Sequence, residues 1–446
     1  MLNMGKMGGF TSMTPKFKSK AFSKTRGLIT LLNDEILHPP APSAFFCEMK
    51  DRLFRALVAA SQFIKGWRVP VVLLRGPDRA AGREVTLLVA GQRHWTHYFI
   101  HRFFAHEPAV VRTRKVVVWR LRALLDAWQH EAEMTLVAID RVSSRLFLKP
   151  AWLGIPVWVG SSMLVPADWK SLSSRESRIA GDLRRVRNTG FECEVSRSTE
   201  DFELFYEKFY LPTVRVRHGE NPFVVSKGVL RAVFRQGMIL WCKSDGEKLA
   251  ADLVLLREPG KMAIISNGII DGNEDWLRKG VLSSLYVFSV ELAWELGCTS
   301  IFMGGSRPSL HDGVFRYKKK WSDALYRHGG LVSGQYDIRL RWKHLPGPVA
   351  DFLSHTSLIH HDQDGFSALW FFPRDLPLTA ESLARQHKDL TAAGLRRFRI
   401  LLPGPPPPGF VCPPHVQLIP LADAARLQAH ELGEWEPGGV IGAEAA

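Results

Sequence analysis

Apolar positions in the first third of the chain follow two spacings. Apolar residues three and four positions apart indicate an amphipathic helix, whereas short apolar runs bounded by glycine, proline or aspartate indicate strands. A turn at Gly76-Pro77-Asp78 separates two such runs. The pattern predicts, in chain order, a helix over Phe45–Phe63, strands over Val69–Leu74 and Val85–Val89, a helix over Trp119–Trp128, and strands over Thr135–Asp140 and Arg145–Leu148.

The longest uncharged run lies between Lys149 and Asp168 and contains Trp-Leu-Gly-Ile-Pro-Val-Trp-Val-Gly. Its length barely reaches what a bilayer requires, and Gly154, Pro156 and Gly160 would interrupt a helix. We therefore interpret the run as buried strands and expect no integral membrane segment.

Beyond this run the pattern is helical, then strand-like, then helical again. Ser198 or Thr199 can cap a helix, because a side-chain oxygen there accepts a bond from a free backbone N–H. Turns at Asp245-Gly246 and Pro259-Gly260 favour an antiparallel meander. The predicted elements are helices over Ser171–Asn188, Asp201–Tyr210 and Gly228–Phe234, strands over Met238–Lys243, Leu249–Leu256 and Met262–Asn267, a helix from about Gly280 to Leu296, and a strand over Ser300–Met303 that ends in Gly304-Gly305.

Composition narrows the classes of protein. The 446 residues are 46% hydrophobic, which is enough to bury cores and predicts a folded chain of two domains. A formal charge of +15 favours anionic partners such as nucleotides, nucleic acid or phospholipid head groups. The five cysteines form no Cys-x-x-Cys pair, which argues against a disulfide framework or a cysteine-rich zinc site and favours a reducing compartment.

The ends of the chain have their own composition. The first 30 residues contain six basic residues and no acid, without the apolar centre of a secretory signal, so we interpret them as a basic arm. Pro403–Pro414 contains four consecutive prolines and is typical of a stiff, extended connector.

The strongest local motif is Gly304-Gly305-Ser306-Arg307, followed by His311-Asp312-Gly313 and Tyr317-Lys318-Lys319-Lys320-Trp321. A glycine pair at the carboxyl end of a strand lets the backbone turn and present N–H groups to an anion. Arg307 and the lysines can add charge-assisted bonds to phosphate. From these residues alone, a hairpin loop with a solvated basic face remains an equal alternative.

A second motif, Asp275-Trp276-Leu277-Arg278-Lys279-Gly280, lies between the meander and the long helix. The N–H groups at a helix N-terminus can hold a pyrophosphate, and Gly280 would allow close approach. A single glycine is more often a plain helix start. We predict that Arg278–Val281 and Gly304–Arg307 lie side by side in one anion-accepting cleft.

These two motifs, in this order, resemble the FemAB-like branch of the GNAT acyltransferase superfamily, which includes cellulose- and exopolysaccharide-associated acetyltransferase-like domains. The resemblance covers roughly Ser171–Tyr326 and rests on the meander, on DWLRKGVLSSLYVFSVELAWELGC and on FMGGSRPSLHDGVFRYKKKW. It implies an α/β (α+β) fold, a GNAT-like mixed sheet with flanking helices in two tandem GNAT-like halves. The corresponding domains are a basic flexible arm over 1–44, a degenerate GNAT-like first half over 45–168, a FemAB-like acyltransferase domain over 169–345, and a C-terminal extension with a Pro-rich connector over 346–446.

The resemblance further implies acyl transfer from a thioester or an aminoacyl ester to an amine. Acyl-CoA is the expected co-substrate, with no tightly bound cofactor, and the expected acceptor is an amine of a sugar, an amino acid or a cell-envelope precursor. The segment Arg278-Lys279-Gly280-Val281-Leu282 lacks the second small residue of the usual acyl-CoA fingerprint. Transfer from aminoacyl-tRNA, or a non-catalytic binding protein on a GNAT scaffold, therefore remains open. The expected location is cytoplasmic.

Acyl transfer to an amine sets chemical requirements of its own. The amine must lose a proton, and the developing oxyanion needs an N–H donor or a cation. Asp312 is the first candidate for the proton acceptor, with His311, Asp252 and His218 as alternatives. Lys318 matches the family lysine after the aromatic residue, which implies that it holds donor phosphate or stabilises the oxyanion. The implied donor-binding residues are Arg278, Lys279, Gly280, Gly305, Ser306 and Arg307.

The sequence gives weaker support to other kinds of functional site. His94, His97 and His101 recur at helical spacing with His106 nearby, but a zinc site needs three or four converging ligands and no carboxylate is spaced to join them. We interpret this stretch as an aromatic, partly buried helix and expect no metal. The chain has neither a Gly-x-Ser-x-Gly elbow nor a Walker-type glycine loop, which argues against hydrolase and nucleotidase functions.

Overall fold

The computed structural model describes residue 56 and residues 59–424, except for 149–151, 169–175, 219–223, 329–332, 346 and 363–364. The predicted arm over 1–44 and most of the predicted helix Phe45–Phe63 lie outside these residues, although 59–66 are helical. The described residues form three β-sheets with flanking helices, so the predicted α/β (α+β) class is confirmed.

Most strands coincide with the apolar runs of the sequence. They are β1 (Arg68–Pro77), β2 (Glu84–Gly91), β3 (Ala109–Val117), β4 (Met134–Asp140), β5 (Leu153–Pro156), β6 (Val159–Leu164), β7 (Glu192–Ser196), β8 (Gly237–Ser244), β9 (Glu247–Glu258), β10 (Lys261–Ile269), β11 (Ser300–Ser306), β12 (Ala324–Arg327), β13 (Tyr336–Trp342), β14 (Leu358–Asp362), β15 (Gly365–Phe371), β16 (Leu395–Leu402) and β17 (Val416–Pro420).

The helices follow the same chain order. They are α1 (Arg93–Phe103), α2 (Val118–Trp128), α3 (Arg141–Phe147), α4 (Glu176–Thr189), α5 (Thr199–Leu204), which continues through the π-helical turn Phe205–Tyr210 into α6 (Leu211–His218), then α7 (Lys227–Phe234), α8 (Glu274–Lys279), α9 (Val281–Glu295), α10 (Gly313–Trp321), α11 (Pro348–Thr356), α12 (Ala380–Leu390) and α13 (Leu421–Ala424). No helix in the described part of the chain is both long and apolar enough to cross a bilayer.

The first sheet has the strand order β3-β1-β2-β4-β13-β5. Its hairpin β1–β2 confirms the two strands predicted on either side of Gly76-Pro77-Asp78. The predicted strand Arg145–Leu148 is wrong, because these residues belong to α3 and its C-terminal end. The reason is a cap directly after β4, where Asp140 Oδ1 accepts the Ser143 N–H at 2.9 Å and starts the helix.

The second sheet has the order β12-β6-β11-β10-β9-β8-β7. Strands β8, β9 and β10 pair antiparallel and confirm the predicted meander, and the Ser198 hydroxyl caps α5 by accepting the Asp201 N–H at 3.0 Å. The strand predicted over Ser300–Met303 is confirmed as the first part of β11, which extends further than predicted. Gly304 adopts a positive φ of 73°, and β11 continues beyond this irregularity to Ser306 while still paired with β6.

Two strands belong to a different sheet from the one expected from their position in the sequence. β6 lies in the second sheet, between β12 and β11, and β13 lies in the first sheet, between β4 and β5. One strand therefore crosses the predicted 168/169 boundary in each direction. The predicted division into 45–168, 169–345 and 346–446 stays a prediction, and any division has to allow for this exchange.

The third sheet, in the order β14-β15-β16-β17, contains the part of the chain that the sequence pattern described least. β14 and β15 are antiparallel, whereas β15, β16 and β17 are parallel. The predicted connector Pro403–Pro414 joins β16 to β17 and contains no helix or strand. The start of β14 also approaches the loop before α10, through a bridge between Ser309 and Leu358.

Candidate functional site

The candidate site lies where β10 and β11 stop pairing. The two strands are parallel, and their pairing runs only from Lys261 with Ser300 to Ala263 with Phe302. Both strands continue beyond that point, but each is irregular there, β10 after Ile264 and β11 before Gly305. An interruption between two parallel strands is a place where a ligand can approach the carboxyl ends of both.

Lys318 on α10 reaches this interruption. Its side chain is buried, with 7% of the residue exposed, and Nζ donates to the Gly305 carbonyl oxygen at 2.9 Å. Burial lowers the pKa of the Lys318 ammonium to about 8, although the charges of Asp312 and Asp252 act in the opposite direction. At neutral pH the site therefore holds a desolvated cation.

Asp252 on β9 supplies a buried carboxylate. The residue is fully buried, and its Oδ2 accepts the Ser289 hydroxyl of α9 at 3.2 Å. Oδ1 has no hydrogen-bond partner within the described residues. Burial raises the pKa of this carboxyl to about 7, against the lowering effects of Ser289 and the Lys318 charge. An orphaned buried oxygen of this kind is costly and is typical of functional sites.

Asp312 caps a helix and also lies near several charged side chains. Its Oδ1 caps α10 by accepting the Phe315 N–H at 2.9 Å. Burial raises the pKa of the carboxyl, while the Phe315 N–H and the charges of Arg307, Arg102 and Lys318 lower it. The structure thus brings together Asp312 and Lys318, two of the three residues that the sequence predicted as catalytic.

Arg307 connects this cluster to the first sheet. Its guanidinium lies over the Trp158 ring, 4.2 Å from the centroid, and over the Tyr98 ring of α1 at 5.6 Å. Burial lowers the pKa of Arg307, and the nearby Asp312 charge opposes this effect. The predicted anion-binding arginine is therefore packed against two aromatic rings and lies close enough to Asp312 to affect the pKa of that carboxyl.

His311 and Ser306 flank the cluster on opposite sides of Arg307 in the chain. His311 Nδ1 hydrogen-bonds with the Ser357 hydroxyl at 2.8 Å, at the start of β14. Burial and nearby positive charges lower the pKa of His311 to about 4, so the ring is neutral at pH 7. Ser306 is 1% exposed, and its Oγ has no partner within the described residues. His311 is therefore a weaker base than the sequence suggested.

The predicted phosphate-binding residues at the start of α9 have other partners. Arg278 pairs with Asp275 in the preceding turn, and Lys279 Nζ lies 4.2 Å from the centroid of the Trp276 ring. Gly280 has φ 94°, which favours glycine. Arg278, Lys279 and Gly280 thus have the contacts of an ordinary C-terminal helix end, that of α8, directly before α9 begins. Their role in donor binding stays a prediction.

Helix α4 covers the start of α9. A Cβ at Gly280 would lie 2.4 Å from Arg185 Cδ, and Ser283 donates to Asp182 Oδ1 at 3.2 Å. The Ser283 hydroxyl also bonds with Tyr317 at 3.1 Å. Helix α10 therefore contacts both segments of the predicted shared cleft. Tyr317 bonds to Ser283, near Arg278–Val281, and Lys318 bonds to Gly305, within Gly304–Arg307.

Sequence reasoning missed Tyr326 and His328. A Cβ at Gly160 would lie 2.3 Å from Tyr326 Cζ, and a Cβ at Gly305 would lie 2.8 Å from His328 Cδ2. The two side chains bond to one another at 3.3 Å, and burial together with Lys318 lowers the pKa of His328 to about 4. Both glycines therefore make room for a Tyr–His pair, which no spacing in the sequence indicates.

The histidines of α1 are arranged as a surface pair. His97 Nε2 and His101 Nε2 are 2.8 Å apart, consistent with the predicted helix face. No group of three or more His, Cys, Asp or Glu residues in the described ranges could hold a metal ion. His218, one of the alternative bases, is the last residue of α6.

Comparisons with known proteins concern the fold. No protein-family model matches the sequence, and no curated protein matches it. Similar solved structures include FemX (14% identity, 64% of this chain and 95% of that chain, TM-score 0.32), L-PGS from Bacillus licheniformis (13%, 62% and 86%, 0.32) and a GCN5-related N-acetyltransferase-like protein from Streptococcus suis (10%, 66% and 98%, 0.26).

Proposed function

We propose that this chain is an N-acyltransferase that moves an acyl group from a thioester or an ester to an amine. The observation that carries the proposal is the desolvated Lys318 ammonium at the interruption between β10 and β11, with the Asp312 carboxyl close enough to affect its pKa. A buried cation is expensive, so its retention where a carbonyl could approach favours a catalytic role.

Lys318 and Asp312 have different roles in the proposed reaction. The amine nitrogen forms a bond to the donor carbonyl carbon, and the bond from that carbon to sulfur or oxygen breaks as the tetrahedral intermediate collapses. Lys318 stabilises the oxyanion, since a fixed cation in a water-poor site is worth more than one in water. Asp312 accepts the proton released by the amine, and its raised pKa makes it a better base than an exposed aspartate.

The leading donor is acyl-CoA, and the acceptor is an amine of a sugar, an amino acid or a cell-envelope precursor. A second donor, an aminoacyl ester of tRNA, is favoured by the formal charge of +15, which suits a polyanionic donor. Asp182 lies against Ser283 in the first turn of α9, but it is paired with Arg185 and Lys320 and therefore gives no preference between the two donors.

A donor panel combined with two lysine variants tests the proposal. The purified chain is incubated with CoA thioesters or aminoacyl-tRNA and an amine acceptor, and N-acyl product is followed by mass spectrometry. Lys318→Met should lower the single-turnover rate by about 10²–10³-fold. Lys320→Met is the matched control, because Lys320 is 44% exposed in its side chain and lies 3.7 Å from Asp182.

Three outcomes would contradict the proposal. Equal loss in both variants would mean that the lysines act as a diffuse basic surface. Donor binding without product would favour a non-catalytic binding protein. Absence of both binding and product with every thioester and every aminoacyl-tRNA would exclude the transferase function.

A further inference from the structure

Within the described residues, three arginines converge on one aspartate beside β12. Asp337 Oδ1 lies 3.3 Å from Arg141 Nε and 2.5 Å from an Arg327 guanidinium nitrogen, and Oδ2 lies 3.9 Å from Arg339. Each guanidinium has five N–H donors, whereas one carboxylate accepts about four hydrogen bonds. The cluster therefore has an excess of donors and of positive charge.

Arg327 also borders a cavity of about 590 Å³ between β12 and the third sheet. A volume of this size suits a small-molecule ligand. The cavity lining includes Asp323, Tyr326 and Arg327 at β12, His361 on β14 and Arg396 on β16.

The charges around this cavity are unbalanced. Arg396 is exposed and has no ion pair within the described part of the chain, and His361 is exposed on the same wall. Asp323 is the acidic residue of the described lining, and its Oδ2 already accepts the Leu164 N–H at 2.8 Å. The lining therefore includes two arginines, Arg327 on β12 and Arg396 on β16 of the third sheet.

We propose that this cavity binds a ligand through a phosphate group, held between Arg327 and Arg396. Planar guanidinium groups bind phosphate oxygens in pairs, and a phosphate carries more charge and more acceptor oxygens than a carboxylate. Arg327 is paired with Asp337, but Arg141 and Arg339 share that carboxylate, so the cluster keeps a net positive charge. The site is separate from Lys318, although Tyr326 borders the cavity and packs on Gly160 of the second sheet. The proposal does not depend on acyl transfer.

Isothermal titration of the full chain with pyrophosphate and with orthophosphate tests the site. We expect one binding site per chain, weakened about tenfold or more in Arg396→Gln, since one charge-assisted pair of bonds is lost. Arg327→Gln should have a similar effect, with its melting temperature recorded because Asp337 loses a partner. Arg120→Gln is the matched control, an exposed arginine on α2 outside the cavity, and should bind like the unaltered chain.

Competition identifies the source of the phosphate. Displacement of pyrophosphate by glucosamine 1-phosphate, but not by glucosamine, supports a phosphorylated small-molecule ligand. Binding of the inorganic anions without displacement by glucosamine 1-phosphate supports a site for free phosphate. Unchanged affinity in Arg396→Gln, equal weakening in Arg120→Gln, or no binding of either anion would overturn the proposal.

Discussion

At the scale of single residues, the site is defined by charges held out of water. Lys318, Asp252 and Asp312 are each displaced in pKa primarily by burial, and each charge partly offsets the displacement of another. Such a cluster of buried charges lowers the stability of the fold. Because Asp252 accepts the Ser289 hydroxyl and Asp312 accepts the Phe315 N–H, the two carboxylates can be tested separately.

Asp312→Asn separates catalysis from capping. Asparagine caps helices about as well as aspartate, so the bond from Phe315 N–H and the melting temperature should be retained. If Asp312 accepts the amine proton, turnover should fall by about 10²–10⁴-fold. The measurements are single-turnover rate, donor affinity and melting temperature.

Asp140→Asn is the matched control for this variant, because Asp140 also caps a helix and ends a strand of the first sheet, whereas Lys318 bonds to β11 of the second. Its turnover should be unchanged. Full activity per folded molecule in Asp312→Asn would remove Asp312 from the mechanism and make Asp252 the next candidate.

The pKa of Lys318 predicts a pH dependence of stability. A lysine whose pKa falls from 10.5 to about 8 on folding binds protons more readily in the unfolded chain between those values. The free energy of unfolding should therefore increase, and the folded chain become more stable, as pH rises from about 8 to about 10.5. Urea unfolding at several pH values gives the free energy of unfolding as a function of pH. Over this window the curve of the unaltered chain should rise more steeply with pH than that of Lys318→Met, and identical slopes against pH would contradict a buried titrating ammonium.

At the scale of elements, side-chain caps and glycines fix where helices start and how closely strands approach. Ser198, Asp140 and Asp312 each accept a backbone N–H in the first turn of a helix. Gly160 instead acts across the sheet, because its missing Cβ leaves space for the Tyr326 ring. The caps are local in sequence, whereas the glycine contact joins residues far apart in the chain.

A pair of glycine variants tests this distinction. Gly160→Ala places a Cβ 2.3 Å from Tyr326 Cζ, so the ring must move, and we expect a loss of about 1–3 kcal/mol in the free energy of unfolding. Gly181→Ala in α4 meets no atom within 4 Å and should instead gain about 0.5–1 kcal/mol. Urea unfolding measures both, and a neutral Gly160→Ala would mean that Tyr326 is not held against the sheet.

At the scale of the whole molecule, the site depends on contacts between all three sheets. Arg307 follows β11 of the second sheet and packs on Tyr98 of α1, which flanks the first sheet, while His311 bonds with Ser357 beside the third. The exchange of β6 and β13 between the first two sheets adds backbone hydrogen bonds to this connection. We therefore expect these parts to fold together.

Dividing the chain at 168/169 tests this expectation. Residues 1–168 alone lack β13, which pairs with both β4 and β5, and residues 169–446 alone lack β6, which pairs with both β11 and β12. Neither fragment should show cooperative thermal unfolding, whereas co-expression should restore it. Cooperative unfolding of the 169–446 fragment on its own would show that β6 is dispensable.

Local spacing was sufficient for most elements and for the main motif. The meander and the long helix before β11 follow from turn residues, caps and periodicity, which act over a few residues. Helix α10 was not predicted, although Asp312 and Lys318 were singled out from the motif that contains it. The strand predicted at Arg145–Leu148 failed because one cap, at Asp140, outweighed its apolar residues. The third sheet was not predicted, since β15, β16 and β17 are parallel and no local turn joins parallel neighbours.

Tertiary structure decided the rest. Residues distant in the chain meet in the pairing of β6 and β13, the approach of Asp252 to Lys318, the packing of Tyr326 on Gly160, and the ion pair of Arg141 with Asp337. A single sequence records which residues favour a helix or a strand, because that preference depends on near neighbours. It does not record which strands pair across such distances, because pairing is chosen by the burial and hydrogen bonding of the whole molecule.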